Sequence, residues 1–197
     1  MMKIDKLVIA SQNPHKIEEM QQILSPLGIE VLSSKDFPNL KDIIEDRPTL
    51  KGNALKKAQY VSKETRLPAL SDDTGLEVEA LNGRPGVYSA RYAGRNASYQ
   101  DNVLKLLDEL NGRSNRAAQF RTVVALVDKG LEYTFEGICK GEITTEQKGQ
   151  KGFGYDPVFK PEGFSKTFAE LDSNTKNEIS HRGRAIQNLV QFLINED

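Results

Sequence analysis

Two adjacent carboxylates are the residues of this 197-residue sequence best suited to chemistry. Asp72 and Asp73 follow a short apolar stretch and precede Gly75. Neighbouring side chains of a strand face opposite ways, so both carboxylates face one cation only if the chain bends, which Gly75 permits. Paired carboxylates repel each other, and a divalent cation removes that cost; oxygen ligands favour Mg²⁺. In the alternative interpretation, Asp72 or Asp73 caps backbone N–H groups in an Asx turn.

A third acidic ligand is expected in the polar loop that spans residues 34–48. Glu45 is our candidate, and Asp42 and Asp46 compete for the same role. A solvated surface acid is the ordinary state of a glutamate in such a loop, so the residue type alone leaves both interpretations open.

The segment between the first predicted strand and the first predicted helix is a candidate phosphate-binding loop. It reads Ser11-Gln12-Asn13-Pro14-His15-Lys16. Open sheets bind ligands where a strand leads into a helix, and the helix N-terminus offers free N–H donors and a partial positive charge. Lys16 adds a full charge. The glycines of a Walker loop are missing, and a capping loop with a solvated lysine is the alternative.

A glycine-rich segment is suited to binding a nucleobase. It reads Gly152-Phe153-Gly154-Tyr155-Asp156-Pro157. The glycines allow close backbone approach to a ligand, and Phe153 offers a flat face on which base stacking is worth roughly 1–3 kcal/mol. Asp156 can accept hydrogen bonds from a base or sugar. The alternative is a structural turn with Phe153 and Tyr155 packed in the core.

Basic residues lie close together near the end of the chain. They are Lys176 and the group Ser180-His181-Arg182-Gly183-Arg184, at the predicted start of the last helix. That position favours anions, although a solvated basic cap is the alternative. Together with the carboxylates and the aromatic segment, these cations suit a nucleoside triphosphate, a tetra-anion that needs Mg²⁺ and Lys or Arg for charge balance.

The elements that must position these residues alternate between strands and helices. Residues 6–10 and 29–33 are predicted strands, and apolar residues between them recur at helical spacing up to Gly28. A second helix is expected from a Thr49 cap to about residue 65. The succession of strand, polar loop, helix and strand predicts an α/β chain.

The second part of the chain predicts both strands and helices. Short strands are expected over 68–70 and 76–81, and a long hairpin around Lys129-Gly130, which makes the sheet mixed. Helices are expected over 98–110 and from about residue 180. The first of these has Leu104, Leu107 and Leu110 on its predicted buried face. We expect one α/β unit with two lobes.

Composition excludes several classes of protein. The net charge of −1 gives no overall attraction to nucleic acid or an anionic membrane. A single cysteine, Cys139, and two histidines exclude an internal disulfide and an ordinary Cys/His zinc centre. No apolar run approaches the roughly 20 residues that span a bilayer, and the first residues lack a signal-peptide core. We therefore expect a cytoplasmic protein.

Five segments of the chain resemble the inosine triphosphate pyrophosphatase family, also called the non-standard purine nucleotide pyrophosphatases. They are LVIASQNPHKIEEM, TLKGNALKKA, ALSDDTGLEVEALNGRPGVYSARYAG, KGFGYDPVF and AELDSNTKNEISHRGRA. These segments follow the family's order and cover nearly the whole chain. The combination of SDDTGLEV, PGVYSARYAG, FGYDP and SHRG is highly specific.

The resemblance implies that the chain hydrolyses ITP, dITP and XTP to the nucleoside monophosphate and pyrophosphate, with Mg²⁺, and so sanitises the nucleotide pool. It implies an elongated mixed β-sheet flanked by helices, with the active site in a central cleft between two lobes. It also implies a homodimer. We expect one domain of this kind over residues 1–197.

The resemblance also implies roles for individual residues. Asp73 is expected to accept a proton and to bind the metal, with Glu45 as the upstream metal ligand and Asp72 as a further candidate ligand. Lys16 is expected to act in catalysis by neutralising charge on the phosphates. The implied substrate contacts are Ser11, Gln12, Asn13, Pro14, His15, Lys16, Thr74, Phe153, Gly154, Tyr155, Asp156, Lys176, His181 and Arg182.

These roles combine into one hypothesis for the reaction. Asp73 orients and deprotonates a water, which attacks the α-phosphorus and releases pyrophosphate. Lys16, Lys176 and Arg182 neutralise the growing charge on the phosphate oxygens. Donors near His181 and Arg182 favour a 6-keto purine, because a 6-amino group would face donors without an acceptor.

Two positions depart from the family pattern. His15 stands where the family usually has a glycine before the lysine, and Gly52 stands where it often has a glutamate. Two rival functions also remain at this point. One is a related pyrophosphatase that acts on modified pyrimidine nucleotides, and the other is a nucleotide-binding module without catalysis, against which the intact acid pair argues.

Overall fold

The structure is a computed structural model in which residues 4–195 are described. Within that range the chain has seven strands and five α-helices. The strands are β1 (Lys6–Ile9), β2 (Glu30–Ser33), β3 (Ala69–Val78), β4 (Pro85–Gly86), β5 (Ala117–Asp128), β6 (Leu131–Ile143) and β7 (Phe159–Pro161). The helices are α1 (Pro14–Leu24), α2 (Leu50–Thr65), α3 (Tyr99–Glu109), α4 (Ser173–Ile179) and α5 (His181–Asn195).

The strands form one mixed sheet, as the sequence predicts. Its order is β2-β1-β3-β5-β6-β7, with β4 paired to β3 outside that path. β1 lies parallel to β2 and β3, whereas the pairs β3–β4 and β6–β7 are antiparallel. Lys129 and Gly130 join β5 to β6 with φ of +49° and +83°, the positive values that a type I′ hairpin turn requires.

Short polar side chains cap the helices, and Thr49 and Ser98 do so at the predicted helix starts. Asn13 accepts a hydrogen bond from the His15 N–H at the start of α1, and Thr49 accepts one from Gly52 at the start of α2. Ser98 and Asp101 form a reciprocal capping box at the start of α3. Each cap satisfies backbone donors that have no partner inside the helix, so the capped loops have a fixed geometry.

The acid pair lies inside a strand, which corrects the predicted bend. β3 runs without interruption from Ala69 to Val78, so the two predicted strands and the intervening turn are one element. Gly75 has a different use from the one expected. A Cβ at that position would lie 2.8 Å from the Gly86 carbonyl oxygen, so Gly75 permits the close approach of β4 rather than a turn.

Two further expectations were wrong in part, and one helix was not predicted. Residues Glu79–Leu81 form a short 3₁₀ helix instead of continuing a strand. At α3, Leu110 is buried and Leu107 packs against the core of unit 2, as expected, but Leu104 is 52% exposed. A separate helix, α4, starts at an Asp172 cap before the last helix and contains Lys176.

The chain divides into two compact units, each assembled from separate stretches of sequence. Unit 1 contains the chain up to Asp73, Thr122–Gly137 and the chain from Arg182. Its main core packs β1 and α1 residues such as Leu7 and Met20 with α5 residues such as Leu189. Each fully buried side chain of this size contributes about 1.5–3 kcal/mol to folding.

Unit 2 contains Thr74–Arg121 and Ile138–His181. Its core joins α3 to an aromatic group in which Phe120, Phe159 and Phe168 contact one another, with ring centroids 4.7–6.1 Å apart. Across residues 4–195, no helix combines the length and the apolar character that crossing a membrane demands.

Candidate functional site

Asp72 is the centre of a buried group of charges in unit 1. Its Oδ1 accepts a hydrogen bond from Lys16 Nζ at 3.1 Å, and its Oδ2 accepts from Arg182 Nε and Nη2 at 3.0 and 2.9 Å. Asp72 is 1% exposed and Arg182 2% exposed. Three elements, α1, β3 and α5, therefore meet through this one carboxylate.

The charges around Asp72 keep it ionised. Burial alone would raise the pKa of the Asp72 carboxyl, but the cations Lys16, Arg182 and Lys57 lower it far below its usual range. Burial would likewise lower the pKa of the Arg182 guanidinium, and the carboxylates of Asp72 and Glu19 raise it instead. A paired, hydrogen-bonded charge of this kind is stable in the interior, whereas an unpaired one is not.

Glu19 is a member of this group that the sequence analysis missed. Its Oε2 accepts a hydrogen bond from Arg182 Nη1 at 2.5 Å. Lys16 and Glu19 lie three residues apart on α1 and so share one helix face. That spacing is visible in the sequence, but nothing local indicates that their common neighbours come from β3 and α5.

Asp73 has a different environment from its neighbour. Its Oδ2 accepts a hydrogen bond from Asn53 Nδ2 at 2.9 Å, and the residue is 5% exposed. Burial raises the pKa of the Asp73 carboxyl above its usual value, and the nearby Glu45 carboxylate raises it further, against the opposing effect of Lys57. Asp73 is therefore the carboxylate of the pair with the greater affinity for a proton.

Lys57 connects Glu45 to the acid pair. Its Nζ donates a hydrogen bond to Glu45 Oε1 and another to the Asp72 backbone carbonyl at 2.6 Å. Burial alone would raise the pKa of Glu45, but Lys57 and Lys16 lower it below its usual value. Burial would lower the pKa of Lys57, and the carboxylates of Glu45, Asp72 and Asp73 raise it.

Lys57 is a further site residue that was not predicted, although a helical pattern points to it. Asn53 and Lys57 are four residues apart on α2, and both are buried. Glu45 thus contacts this group, whereas its competitor Asp46 is exposed and pairs with Lys56 at 2.8 Å. We call the seven residues Lys16, Glu19, Glu45, Lys57, Asp72, Asp73 and Arg182 the charged cluster.

The departure at Gly52 has a local structural reason. A Cβ at Gly52 would lie 2.9 Å from Arg47 Cβ and 3.1 Å from Thr49 Oγ1. The loop that carries Glu45 therefore packs directly on the first turn of α2. Asn53 fixes the same loop, because its Oδ1 accepts a hydrogen bond from the Arg47 N–H at 2.9 Å.

The carboxylate oxygens of Glu45 and Asp73 suit a hard divalent cation that contacts the protein and the substrate at the same time. Among residues 4–195, His, Cys, Asp and Glu side chains do not gather in any group of three or more that could hold a metal ion. Glu45 and Asp73 nevertheless interact electrostatically and share Lys57. Mg²⁺ in nucleotide sites is bound by one or two carboxylates together with phosphates and water, so two carboxylates fit it. Asp72, with both oxygens held by cations, is the weaker candidate ligand.

The loop before α1 has a compact hydrogen-bonded form. The Asn13 N–H donates to Ser11 Oγ at 3.2 Å, and Asn13 Oδ1 accepts from the His15 N–H at 3.0 Å. Pro14 is the first residue of α1. Gln12 lies before it in the loop and is exposed. His15 has an ordinary helical backbone, so the glycine that the family usually has here is not required for conformation. Its exposed side chain is an addition at the helix N-terminus.

The glycine-rich loop in unit 2 is fixed by one carboxylate. Asp156 Oδ2 accepts hydrogen bonds from the Phe153 N–H at 2.9 Å and from Lys176 Nζ at 2.7 Å. Gly152 and Gly154 on either side of Phe153 have φ of +73° and +61°. A Cβ on Gly152 would collide with the Asp156 carboxylate, so glycine is needed for space as well as for conformation.

Lys176 belongs with the aromatic residues of unit 2. Its ammonium lies 5.0 Å from the ring centroid of Phe153 and 5.8 Å from that of Phe168, within the range of cation–π contacts. Phe153 is half-buried, whereas Tyr155 is buried and its hydroxyl donates to the Ser89 carbonyl at 2.9 Å. Burial raises the pKa of Tyr155, so its hydroxyl stays protonated and holds the loop in place.

The start of α5 is buried, which contradicts the alternative of a solvated basic cap. His181 is 3% exposed, and its ring stacks on Phe120 with centroids 4.4 Å apart and planes at 20°. Phe168 lies 6.1 Å away on another side. We call Phe120, Phe153, Asp156, Phe168, Lys176 and His181 the aromatic cluster.

The predicted site residues thus separate into two groups. The charged cluster in unit 1 contains Lys16, Glu45, both aspartates and Arg182, and the aromatic cluster in unit 2 contains Phe153, Asp156, Lys176 and His181. Lys176, expected to act on phosphate, contacts the aromatic loop. Thr74 follows Asp73 in β3 and is half-buried.

Comparisons with known proteins identify the family of the chain. A model of the Ham1 family matches residues 7–192. The dITP/XTP pyrophosphatase of Flavobacterium johnsoniae is 53% identical, covering 95% of this chain and 97% of its own. That of Porphyromonas gingivalis is 48% identical, covering 97% and 98%.

Solved structures show the same fold. The Ham1 protein of Staphylococcus aureus has a TM-score of 0.87 at 39% identity, with 98% of this chain and 100% of that chain covered. A HAM1 protein from Coxiella burnetii has a TM-score of 0.88 at 42% identity, with 96% and 98% covered. Since sequence and structure match nearly from end to end, the chain belongs to the Ham1 family.

Proposed function

We propose that this protein hydrolyses non-standard purine nucleoside triphosphates, namely dITP, XTP and ITP, to the monophosphate and pyrophosphate. One observation carries the proposal: the acid pair of β3 separates into Asp72, whose carboxylate accepts hydrogen bonds from Lys16 and Arg182, and Asp73, whose carboxylate accepts one from Asn53. The names of the relatives from Flavobacterium johnsoniae and Porphyromonas gingivalis support the substrate class.

The charged cluster is proposed to bind the triphosphate. Its cations are Lys16, Lys57 and Arg182, and its carboxylates are Glu19, Glu45, Asp72 and Asp73. The carboxylates outnumber the cations, so the cluster alone does not balance a tetra-anion. Mg²⁺ held by Glu45 and Asp73 would supply the missing charge, polarise a phosphoryl oxygen and lower the pKa of a bound water.

Asp73 is proposed to accept the proton of the attacking water. The carboxylate of Asp72 is held by Lys16 and Arg182, so Asp73 is the member of the acid pair better placed to accept a proton. Asn53 holds one oxygen of Asp73 by a hydrogen bond and so orients the carboxylate. The water attacks the α-phosphorus, and pyrophosphate leaves.

The cations have separable roles in this proposal. Lys16, in the first turn of α1, neutralises charge on a phosphate next to the free N–H groups of the helix. Arg182 has Nε, Nη1 and Nη2 on the carboxylates of Asp72 and Glu19, and it thereby holds Asp72 in position to orient Lys16. Lys57 lies between Glu45 and the acid pair, where it restrains both.

The aromatic cluster is proposed to bind the base. Phe153 offers a half-exposed ring for stacking, and the Lys176 ammonium is a donor that lies 5.0 Å from the centroid of that ring. A 6-keto group can accept from such a donor, whereas the 6-amino group of adenine would leave it unsatisfied at a cost of about 1–3 kcal/mol. Rejection of ATP by roughly five- to 150-fold follows from that cost.

Three further properties are part of the proposal. They are the identity of the metal as Mg²⁺, a homodimeric state and a cytoplasmic location. Light scattering coupled to size-exclusion chromatography tests the dimer, and a measured mass near 22 kDa, that of one chain, would exclude it.

A nucleotide panel tests the function as a whole. Pyrophosphate release is measured for ITP, dITP, XTP, GTP, ATP, dTTP and UTP, with Mg²⁺ and with excess chelator. We expect the first three to be turned over fastest and all turnover to stop in chelator. Faster turnover of dTTP or UTP would favour the pyrimidine pyrophosphatase, and binding of ITP without pyrophosphate release would favour a binding module.

A further inference from the structure

A second aromatic ring stands beside the ring proposed to stack on the base. Tyr99, the first residue of α3, has its ring centroid 5.9 Å from that of Phe153, with the planes tilted by 46°. Both residues lie in unit 2. Tyr99 lies outside every glycine-rich, acidic or basic segment of the sequence, so no sequence motif assigns it a role.

Tyr99 is unusually exposed for an aromatic residue of this chain. In the part of the chain that the structure describes, the aromatic side chains with large exposed fractions are Tyr88 at 57% and Tyr99 at 43%. Tyr99 is also absent from the hydrophobic core of unit 2. Core packing therefore does not explain why a large ring stands at this position.

Both rings are held by rigid backbone. The capping box fixes the start of α3, since Asp101 N–H donates to Ser98 Oγ at 3.1 Å and Ser98 N–H donates to Asp101 Oδ2 at 2.8 Å. Phe153 is fixed through its N–H on Asp156 and the Lys176 ammonium near its ring. Two preorganised rings lose little entropy when a flat ligand binds against them.

We propose that Tyr99 and Phe153 together form a two-ring site for the purine base, and that Tyr99 increases affinity for bicyclic bases. The inference rests on the proposed function, because it takes Phe153 as the stacking residue. A base stacked on Phe153 contacts Tyr99 with its outer ring, and a smaller pyrimidine loses that second contact. Loss of one aromatic contact with a base lowers affinity by roughly five- to 150-fold.

The test is steady-state kinetics with ITP for variants of Tyr99. Tyr99→Ala is expected to raise KM for ITP by roughly tenfold, while kcat stays within about twofold, because the contact binds ground and transition states alike. Tyr99→Phe keeps the ring and is expected to stay within about twofold of the native KM. Leu104→Ala, which removes another exposed apolar side chain of the same helix, is the matched control and should leave KM unchanged.

A base-free ligand separates contact with the base from general damage to the loop. Inosine monophosphate and tripolyphosphate are compared as competitive inhibitors of the native enzyme and of Tyr99→Ala. We expect the inhibition constant of inosine monophosphate to rise in parallel with KM and that of tripolyphosphate to stay constant. An equal rise for both inhibitors, or an unchanged KM for ITP, would overturn the inference.

Two more variants, Tyr99→Leu and Phe153→Ala, serve as controls. Tyr99→Leu keeps apolar bulk against Phe153 but has no ring, and it should raise KM for ITP as much as Tyr99→Ala does. It serves as the test if the alanine variant is poorly folded. Phe153→Ala identifies which proposal has failed. If it raises KM and the Tyr99 variants do not, the two-ring site alone is wrong; if it leaves KM unchanged, the proposed base site at Phe153 is wrong as well.

Discussion

The charged cluster and the aromatic cluster achieve fixed geometry by different means. In the charged cluster, Asp72 and Arg182 are almost fully buried and exchange hydrogen bonds across elements far apart in sequence. In the aromatic cluster, one buried ion pair, Lys176–Asp156, is joined to rings and to glycines with positive φ. In the proposed function, the charges position groups for the phosphates, whereas the rings and the backbone shape position groups for a flat base.

The difference extends to tolerance of substitution. A buried charge that loses its partner is destabilised strongly, since the desolvation cost remains when the attraction is gone. A half-exposed ring loses only its contact area when truncated. We therefore expect variants of the charged cluster to affect folding or chemistry and variants of the aromatic cluster to affect mainly substrate affinity.

The largest effect is expected from Asp73→Asn. Loss of the general base should lower kcat by about 10²–10⁴-fold. The free energy of unfolding should not fall, because a carboxylate with a raised pKa is replaced by a neutral group of the same shape. Pyrophosphate release and urea unfolding measure the two quantities. Asp128→Asn, another buried acid of unit 1, is the control, and an Asp73 variant that keeps a tenth of the rate would remove the residue from its role.

Asp72→Asn is expected to act on stability instead. The substitution leaves Lys16 and Arg182 without their shared carboxylate, and breaking such a buried pair costs about 3–5 kcal/mol. Urea unfolding at neutral pH measures the loss. A variant as stable as the native protein would show that Asp72 does not hold the charged cluster together, and the contrast between neighbouring aspartates would disappear.

Phe153→Ala is expected to change affinity more than rate. Base stacking is worth about 1–3 kcal/mol, so its loss should raise KM for ITP roughly five- to 150-fold, with kcat nearly constant. Comparison of initial rates over a range of ITP concentrations measures both parameters. A fall in kcat with an unchanged KM would indicate that Phe153 acts in the chemical step. It would contradict the proposal that the aromatic cluster acts in base binding alone.

The smallest effect is a slope in acid stability. The pKa of Asp72 is lower in the folded state than its unfolded value of about 3.9, so its ionised form stabilises the fold above that pH. The contribution is lost as pH falls toward the folded pKa, at about 1.4 kcal/mol per pH unit below 3.9. Urea unfolding between pH 5 and 3 should show this slope in the native protein, and Asp72→Asn should show a shallower one.

Local sequence signals predicted most elements of the fold correctly. The caps at Thr49 and Ser98 and the turn at Lys129-Gly130 lie where short-range chemistry indicates them. Helical periodicity was less accurate at the edge of a buried face. Leu110 is buried as predicted, but Leu104 is exposed and Leu106 is buried instead, because the surface packed against the helix decides where its buried face ends.

The sequence by itself determined the type of chemistry: an acid pair, a lysine after a strand, a glycine-rich aromatic loop and the motifs of a known family. The tertiary structure decided which of these groups contact one another. Asp72 and Asp73 are indistinguishable as neighbours in a chain, yet Arg182, 110 residues away, and Lys16, 56 residues away, hold one of them ionised. Ion pairs over such separations depend on how the elements pack, which no local pattern of residues specifies.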